Sequence, residues 1–245
     1  MHRRGAPEIP LNFLAREAGK SVPGIEGTIV TFEPGWEGID MLDPQGFDIW
    51  ADGYDESVER SDGQNRYPFA GYNRVLRRIF HMVMERPHAV VLDIGFGTGT
   101  LTSKLYESGC EIWGQDFSAR MCELARQKMP KAHLYCGDFT RGLVSGLRVQ
   151  RYDAIVSTYA LHHLTDAQKL SFIPGLLPLL RPGGRLIIGD VAFETGEAQN
   201  LCRSQAGTEW DDEEYYFVYE ALNPSLDGLQ FERMSDCAGI LTLQR

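Results

Sequence analysis

Short runs of apolar residues recur along the chain, separated by longer stretches in which apolar residues return every three or four positions. Residues 90–94 hold four apolar residues and one aspartate, a pattern that predicts a strand buried on both faces of a sheet. Further runs of this kind predict strands at residues 111–116, 132–139, 152–157 and 185–190. Because these runs alternate with helical patterns, the sequence predicts an α/β fold with a doubly wound, mostly parallel sheet.

Helical periodicity is clearest over residues 67–86, where apolar side chains share one face and arginines occupy much of the remainder. Thr165 and Gln168 match a capping box, which predicts the start of another helix. Pro174 and Pro178 lie inside the apolar pattern of that helix, so we expect a kink or a break there.

The two ends of the chain differ from this alternating middle. Residues 1–46 are rich in glycine and proline and lack sustained periodicity, which predicts an irregular extension before a single domain at residues 47–245. Near the C-terminus, residues 211–222 predict a helix. Residues 229–234 and 238–243 predict two strands joined by a short turn.

Alternating glycines follow the first predicted strand, at Gly95, Gly97 and Gly99. Glycine tolerates positive φ and leaves bare backbone against a ligand, so this loop predicts a nucleotide-like ligand at the start of the next helix. A dinucleotide fingerprint would have its third glycine where Thr100 stands. Residues 93–102 contain no lysine or arginine. The loop therefore favours a nucleoside ligand without phosphate over NAD.

Polar residues end the neighbouring strands. Asp116 ends the second strand, where a carboxylate can accept hydrogen bonds from two ribose hydroxyls. Asp138 follows the third strand, where its carboxylate can accept a hydrogen bond from an adenine amino group. Ser157 ends the fourth strand. Because parallel strands bind ligands beyond their shared carboxyl edge, these residues predict one site.

Together these features resemble the successive motifs of the class I S-adenosylmethionine-dependent methyltransferases. The likeness is greatest to small bacterial members related to the ubiquinone/menaquinone biosynthesis type. It rests on residues 93–99, Asp116, residues 138–139, 153–157 and 181–184. The resemblance implies a Rossmann-like methyltransferase fold, a seven-stranded sheet completed by a C-terminal antiparallel hairpin, and S-adenosyl-L-methionine as cofactor.

The resemblance also implies which residues bind that cofactor. They are Asp93, Gly95, Gly97, Gly99, Asp116, Phe117, Asp138, Phe139 and Ser157. Residues 47–86 are implied to form a cap and a first helix, with Tyr54 facing the site. The Asn-Pro-Pro-Tyr type of motif is absent after the fourth strand, where residues 157–160 read Ser-Thr-Tyr-Ala. This departure counts against the enzymes that methylate amino groups of nucleic acids.

Methyl transfer from a sulfonium is an in-line displacement that needs placement and a dry pocket. An oxygen or nitrogen acceptor must also lose a proton, so we expect a general base from His162, His163 or Tyr54. Alternatively, one histidine caps the next helix and the other packs against the cofactor. No cluster of metal ligands is visible in the sequence, so we expect no metal requirement.

The composition of the chain limits the classes of partner and the cellular location that we expect. The net charge of −10, without a run of basic residues, argues against a nucleic-acid partner. The five cysteines never take C-x-x-C spacing, which favours a reducing compartment over a structural zinc site. No apolar run approaches the roughly 18 residues of a membrane span. We therefore expect no membrane association and a cytoplasmic location.

Aromatic residues flank the predicted site and suit an enclosed pocket for a small ligand. They are Trp50, Tyr54, Tyr72, Trp210, Tyr215, Tyr216 and Phe217. The alternative is that these rings simply pack on the sheet. The sequence thus predicts a methyltransferase that acts on a small-molecule acceptor. A binding module that holds S-adenosylmethionine without transferring methyl is the alternative, and an NAD-dependent oxidoreductase is less favoured.

Overall fold

A computed structural model describes residues 66–245 of the chain. The predicted irregular extension at residues 1–46 lies outside the described residues. So do residues 47–65 of the predicted cap, including Trp50 and Tyr54.

Eight strands form the sheet of the described residues. Their bounds are β1 (Val90–Ile94), β2 (Glu111–Asp116), β3 (His133–Cys136), β4 (Tyr152–Thr158), β5 (Leu180–Phe193), β6 (Phe217–Val218), β7 (Gln230–Arg233) and β8 (Ala238–Gln244). The order is β3-β2-β1-β4-β5-β8-β7, with the two-residue β6 beside β5. Strands β1 to β5 pair in parallel, whereas β8 is antiparallel to both β5 and β7. This topology confirms the doubly wound, mostly parallel sheet with a C-terminal antiparallel hairpin.

Helices cover both faces of the sheet. Their bounds are α1 (Tyr72–Met84), α2 (Thr100–Glu107), α3 (Ala119–Lys128), α4 (Ser145–Arg148), α5 (Asp166–Leu176), α6 (Gly196–Ala206) and α7 (Tyr219–Leu222). Buried residues of α1, α2 and α3 share one core, and those of α4 and α5 share the core on the opposite face. Within the described part of the chain, none of these helices is long and apolar enough to cross a bilayer.

The amphipathic helix predicted before the first strand is present as α1. It packs so closely on β5 that a Cβ added to Gly189 would lie 2.4 Å from Val75 and 2.7 Å from Ile79. Glycine at this strand position therefore lets the helix approach the backbone of the sheet. In α5, Pro174 lies inside the helix, and the chain tightens into a 3₁₀ turn at Leu177–Leu179 around Pro178.

The prediction of a helix over residues 211–222 was wrong for most of its length. Only Tyr219–Leu222 is helical, and Phe217–Val218 instead pairs with β5. The deciding interaction is tertiary, because Phe217 is fully buried against the sheet. The helix α6 was not predicted because only Cys202 of that segment is buried, so its apolar periodicity is weak.

Candidate active site at the carboxyl edge of the sheet

The glycine loop joins β1 to α2 and runs close to the loop that follows β4. Gly95, Gly97 and Gly99 all have positive φ, between 55° and 80°. A Cβ at Gly95 would lie 2.3 Å from the Cβ of Ala160, so the two loops are in direct contact. A Cβ at Gly97 would meet nothing within 4 Å. The backbone at Gly97 is thus open to a ligand, as the sequence predicted for this loop.

Asp116 ties the end of β2 to the glycine loop. Its Oδ2 accepts a hydrogen bond from the Gly97 amide at 2.8 Å, and its Oδ1 accepts one from the Ser118 amide at 2.9 Å. The residue is only 4% exposed. The carboxylate predicted to bind a ribose therefore lies directly beside the open backbone of Gly97.

Asp93 and Ser157 lie beneath the loop, and their side chains face the protein interior. Asp93 accepts a hydrogen bond from the Thr102 hydroxyl, which joins β1 to α2. Burial raises the pKa of Asp93 to about 7. The Ser157 hydroxyl donates to the Ile94 carbonyl at 2.7 Å, which joins the ends of β4 and β1. These contacts support the loop from below.

Asp138 caps a 3₁₀ turn after β3. Its Oδ1 accepts hydrogen bonds from the amide and the hydroxyl of Thr140, at 2.9 and 2.6 Å, and its Oδ2 pairs with Arg141 at 3.2 Å. The buried ring of Phe139 would lie 3.5 Å from a Cβ at Gly95, and Phe117 is half-buried after β2. The structure therefore brings all the predicted cofactor residues to the ends of β1 to β4.

The histidine pair follows β4 after an uncommon backbone turn. Tyr159 has a positive φ of 49°, which non-glycine residues rarely adopt. Its amide donates to the Gly189 carbonyl at 2.9 Å, and a 3₁₀ turn at Leu161–His163 follows. This turn places His162 against Asp190, whose Oδ1 accepts a hydrogen bond from Nδ1 of His162 at 2.6 Å.

Glu214 lies on the other side of the His162 ring. Its Oε1 is 3.5 Å from Nε2 of His162. Burial would lower the pKa of His162, but the charges of Asp190 and Glu214 outweigh burial and raise it to about 9. An imidazolium has no lone pair. Near neutral pH, His162 is therefore the cationic partner of two carboxylates, an arrangement that does not suit the base role expected for it.

His163 has the opposite environment. Burial lowers its pKa well below the ordinary value, and the positive charge of His162 adds to that effect. The two rings are 4.2 Å apart between centroids, in an edge-to-face arrangement. His163 is consequently neutral at physiological pH and presents an acceptor nitrogen beside a positively charged ring.

The segment that carries Glu214 is tied to the histidine turn by the Tyr215 amide and to α5 by Lys169. The Tyr215 amide donates to the His162 carbonyl at 2.8 Å. Fully buried Lys169 donates from Nζ to the Tyr215 carbonyl and to Asp166, the latter at 3.1 Å. Its ammonium also lies 4.4 Å above the centre of the Phe217 ring. The backbone N–H and C=O of Tyr215 are thus both hydrogen-bonded, and these two bonds place the preceding residue, Glu214, beside His162.

Aromatic rings surround this cluster in two groups. Tyr67, Trp210 and Tyr216 pack together with centroid separations between 4.9 and 5.8 Å. Phe69, Tyr72 and Tyr159 form the second group, with separations between 5.0 and 5.9 Å. Of the aromatics predicted to flank the site, the Tyr216 ring lies 6.2 Å from that of His162 between centroids, and Trp210 packs against Tyr216. Tyr72 and Phe217 are buried in the core, and Tyr215 is 46% exposed.

The sequence analysis did not identify Asp190 and Glu214 as site residues. Asp190 had a usable signal, because it is a charged residue inside an otherwise apolar strand and is completely buried. Glu214 had none, because it belongs to the acidic run at residues 211–214, which reads as a solvated surface. Only the fold of that segment distinguishes the half-buried Glu214 from the exposed Asp212 and Glu213.

Ligand atoms of His162, His163 and Glu214 lie within 4.8 Å of one another, a spacing that a metal ion could in principle use. Both ring nitrogens of His162 face carboxylates. This environment favours a proton on each nitrogen and leaves no lone pair for a metal. The cluster is better suited to hydrogen bonding and electrostatic interaction with a ligand than to metal binding.

The charge on His162 leads to a prediction about stability. Raising the pH from 6.5 to 10 should lower the free energy of unfolding of the wild type more than that of His162→Gln. The folded pKa of about 9 exceeds the ordinary value, so the stabilisation is complete below pH 6.5 and is lost as the pH rises through 9. The difference should be on the order of 3 kcal/mol. Urea unfolding of both proteins at both pH values measures this difference. Equal losses of unfolding free energy in the wild type and in His162→Gln would contradict the raised pKa of His162.

Comparison with known proteins agrees with this geometry. Residues 91–184 match the family described as "Methyltransferase domain". A protein named "Uncharacterized methyltransferase" from Anoxybacillus flavithermus is 41% identical over 160 residues, which cover 65% of this chain and 72% of that protein. Another, from Oceanobacillus iheyensis, is 33% identical over 210 residues, covering 81% of this chain and 95% of that protein.

Solved structures show the same fold. The magnesium protoporphyrin IX methyltransferase of Synechocystis PCC 6803 with bound S-adenosylhomocysteine (SAH) has a TM-score of 0.61 at 21% identity, over 84% of this chain and 97% of that one. The N-methyltransferase NodS of Bradyrhizobium japonicum with SAH has a TM-score of 0.54 at 18% identity, over 78% of this chain and 97% of that one. At these identities the likeness concerns the fold and not the acceptor.

Proposed function

Because this chain belongs to the class I S-adenosylmethionine-dependent methyltransferases, we propose that it transfers the methyl group of S-adenosylmethionine to a small-molecule acceptor. When bound, the cofactor supplies a methyl group activated by its sulfonium. The residues present fit this cofactor, since the open backbone at Gly97 lies beside the Asp116 carboxylate. That juxtaposition is the observation that carries the proposal. A closer relation to the ubiquinone/menaquinone branch stays a prediction.

Residues at the ends of β1, β2 and β3 would hold the cofactor. Asp116 accepts the ribose hydroxyls, and the glycine loop contacts the amino-acid end. Asp138, Phe139 and Phe117 line the adenine site. Asp93 and Ser157 act from beneath, since their contacts hold the loop and the strand ends in place.

The acceptor lies on the other side of β1, over the ends of β4 and β5. The strand order supports this division, because β4 and β5 continue the sheet away from β2 and β3. His163 offers a neutral nitrogen to an N–H or O–H of the acceptor, and His162 is fixed between its carboxylates. Tyr54 stays a candidate base predicted from the sequence. No metal takes part. Acceptor and cofactor are held in line, and the aromatic groups exclude water.

The acidic balance of the chain and its pattern of cysteines support two further parts of the proposal. Nucleic acids are not acceptors, because a chain with a net charge of −10 repels phosphate backbones. The enzyme works in the cytoplasm, where its scattered cysteines remain reduced. Residues 47–245 act as one catalytic domain.

Radiolabelled methyl transfer tests the proposed function. The protein is incubated with methyl-labelled S-adenosylmethionine and, separately, with a small-metabolite extract, tRNA, DNA and bulk protein. Label is expected in the metabolite fraction alone. Label that appears only in a macromolecular fraction would overturn the small-molecule assignment. Cofactor binding without transfer to any pool would instead indicate a binding module.

A further inference from the structure

The cluster at the ends of β4 and β5 contains more negative than positive charge. Asp190 and Glu214 share the single imidazolium of His162. Asp190 is fully buried, and its Oδ2 accepts no hydrogen bond from any residue in the described range 66–245. Buried carboxylate oxygens ordinarily find donors. The cluster therefore has capacity for a further cationic or N–H donor group.

Neighbouring charges do not remove this surplus. The ammonium of Lys169 is engaged by Asp166 and by the Tyr215 carbonyl. Burial raises the pKa of Glu214, and the negative charges of Asp211 and Asp190 add to that effect. The positive charge of His162 and a hydrogen bond with Tyr216 act in the opposite direction and favour the ionised carboxylate. A ligand that meets Glu214 in this half-buried position thus meets a negative potential.

The cluster is also close to the cofactor loop. Ala160, two residues before His162, touches Gly95. Glu214 is held beside His162 by the paired backbone contacts of Tyr215. A group bound against Glu214 would therefore lie close to the glycine loop and not at a remote surface.

We propose that the Glu214 carboxylate binds the methyl acceptor and that the accepting group is an amine. This inference rests on the proposed transferase function and names its substrate class. A carboxylate or phosphate acceptor would face like charge in a site of low dielectric. An ammonium instead supplies positive charge to a cluster in which two carboxylates share one imidazolium.

The reaction balances for an amine. The ammonium R–NH₃⁺ first loses one proton to solvent. The nitrogen lone pair then forms the new N–C bond, and the C–S bond breaks with its electron pair going to sulfur. The products are R–NH₂⁺–CH₃, the neutral thioether and one proton. Positive charge thus moves from sulfur to nitrogen, toward Glu214, so the carboxylate stabilises the transition state.

Charge fractionation of a metabolite extract tests the substrate class. The extract is separated by ion exchange into cationic, neutral and anionic fractions before reaction, and each is incubated with the enzyme and methyl-labelled S-adenosylmethionine. Label is expected in the cationic fraction. Label in the anionic or neutral fraction alone would overturn the amine assignment and leave the proposed function intact. No label in any fraction, with SAH binding retained, would overturn the proposed function and this inference with it.

A matched pair of variants tests the residue. Glu214→Gln keeps the shape and removes the charge, so it should raise KM for the labelled cationic fraction about tenfold, since each 1.4 kcal/mol is tenfold. Its Kd for SAH, measured by calorimetry, should stay within twofold of wild type and also reports correct folding. Glu213→Gln is the control, because Glu213 is an exposed neighbour in the same segment. Equal KM values for Glu214→Gln and Glu213→Gln would overturn the role of Glu214.

Discussion

Asp116→Ala should weaken the binding of SAH by about a hundredfold. The substitution removes the charged acceptor of two ribose hydroxyls, and each such hydrogen bond contributes about 1.5–3 kcal/mol. It also leaves the amides of Gly97 and Ser118 without the carboxylate that they contact at 2.8 and 2.9 Å. Isothermal titration calorimetry of SAH into the variant measures the change directly.

Asp227→Ala is the control for this substitution, because Asp227 is exposed near the C-terminal hairpin. Its affinity for SAH should equal that of the wild type. The circular dichroism spectrum of each variant shows whether it has folded. If Asp116→Ala folds and binds SAH within threefold of the wild type, the ribose assignment is wrong.

Gly97→Ala should separate cofactor binding from stability. The added methyl group would meet no protein atom within 4 Å, so it projects into the space assigned to the cofactor. Overpacking of this kind costs about 1–3 kcal/mol, which is roughly tenfold to hundredfold in SAH affinity. The positive φ of 55° adds strain of about 1–2 kcal/mol to the folded state whether or not cofactor is bound.

Gly183→Ala controls for that strain. Gly183 also has a positive φ, of 72°, and also has open space at its Cβ, but it lies in the first residues of β5, at the opposite edge of the sheet from the glycine loop. Thermal unfolding should show similar losses of stability for the two variants, whereas calorimetry should show a loss of SAH affinity for Gly97→Ala alone. Equal SAH affinities would show that the cofactor does not approach Gly97.

The site divides into two chemically different halves along one sheet edge. The half over β1 to β3 consists of open backbone and carboxylates, which suits a nucleoside with hydroxyl and amino groups. The half over β4 and β5 consists of a charged cluster beside the rings of Tyr216 and Trp210. Because β1 lies between β2 and β4, the two halves meet at the glycine loop. A methyl group could pass between them there.

The sequence by itself determined the alternating architecture and the placement of the glycine loop, Asp116 and Asp138 at one edge of the sheet. Residues 90–94 form a strand because their apolar pattern persists wherever the strand packs, and the glycines after it permit a turn that other residues resist. Asp116 and Asp138 were predictable for the same reason, since each ends a strand whose direction the fold class defines. The strand, the glycine turn and the positions of the two aspartates all depend on residues that are close together in the sequence.

The acceptor half was decided by tertiary structure. The acidic run at residues 211–214 resembles a surface helix, yet burial of Phe217 against β5 and the buried ammonium of Lys169 hold this segment over the histidine turn. His162 resembles a base, yet Asp190 and Glu214 keep it protonated. A residue's charge state depends on groups brought close from distant parts of the chain, and local sequence patterns do not report those distances.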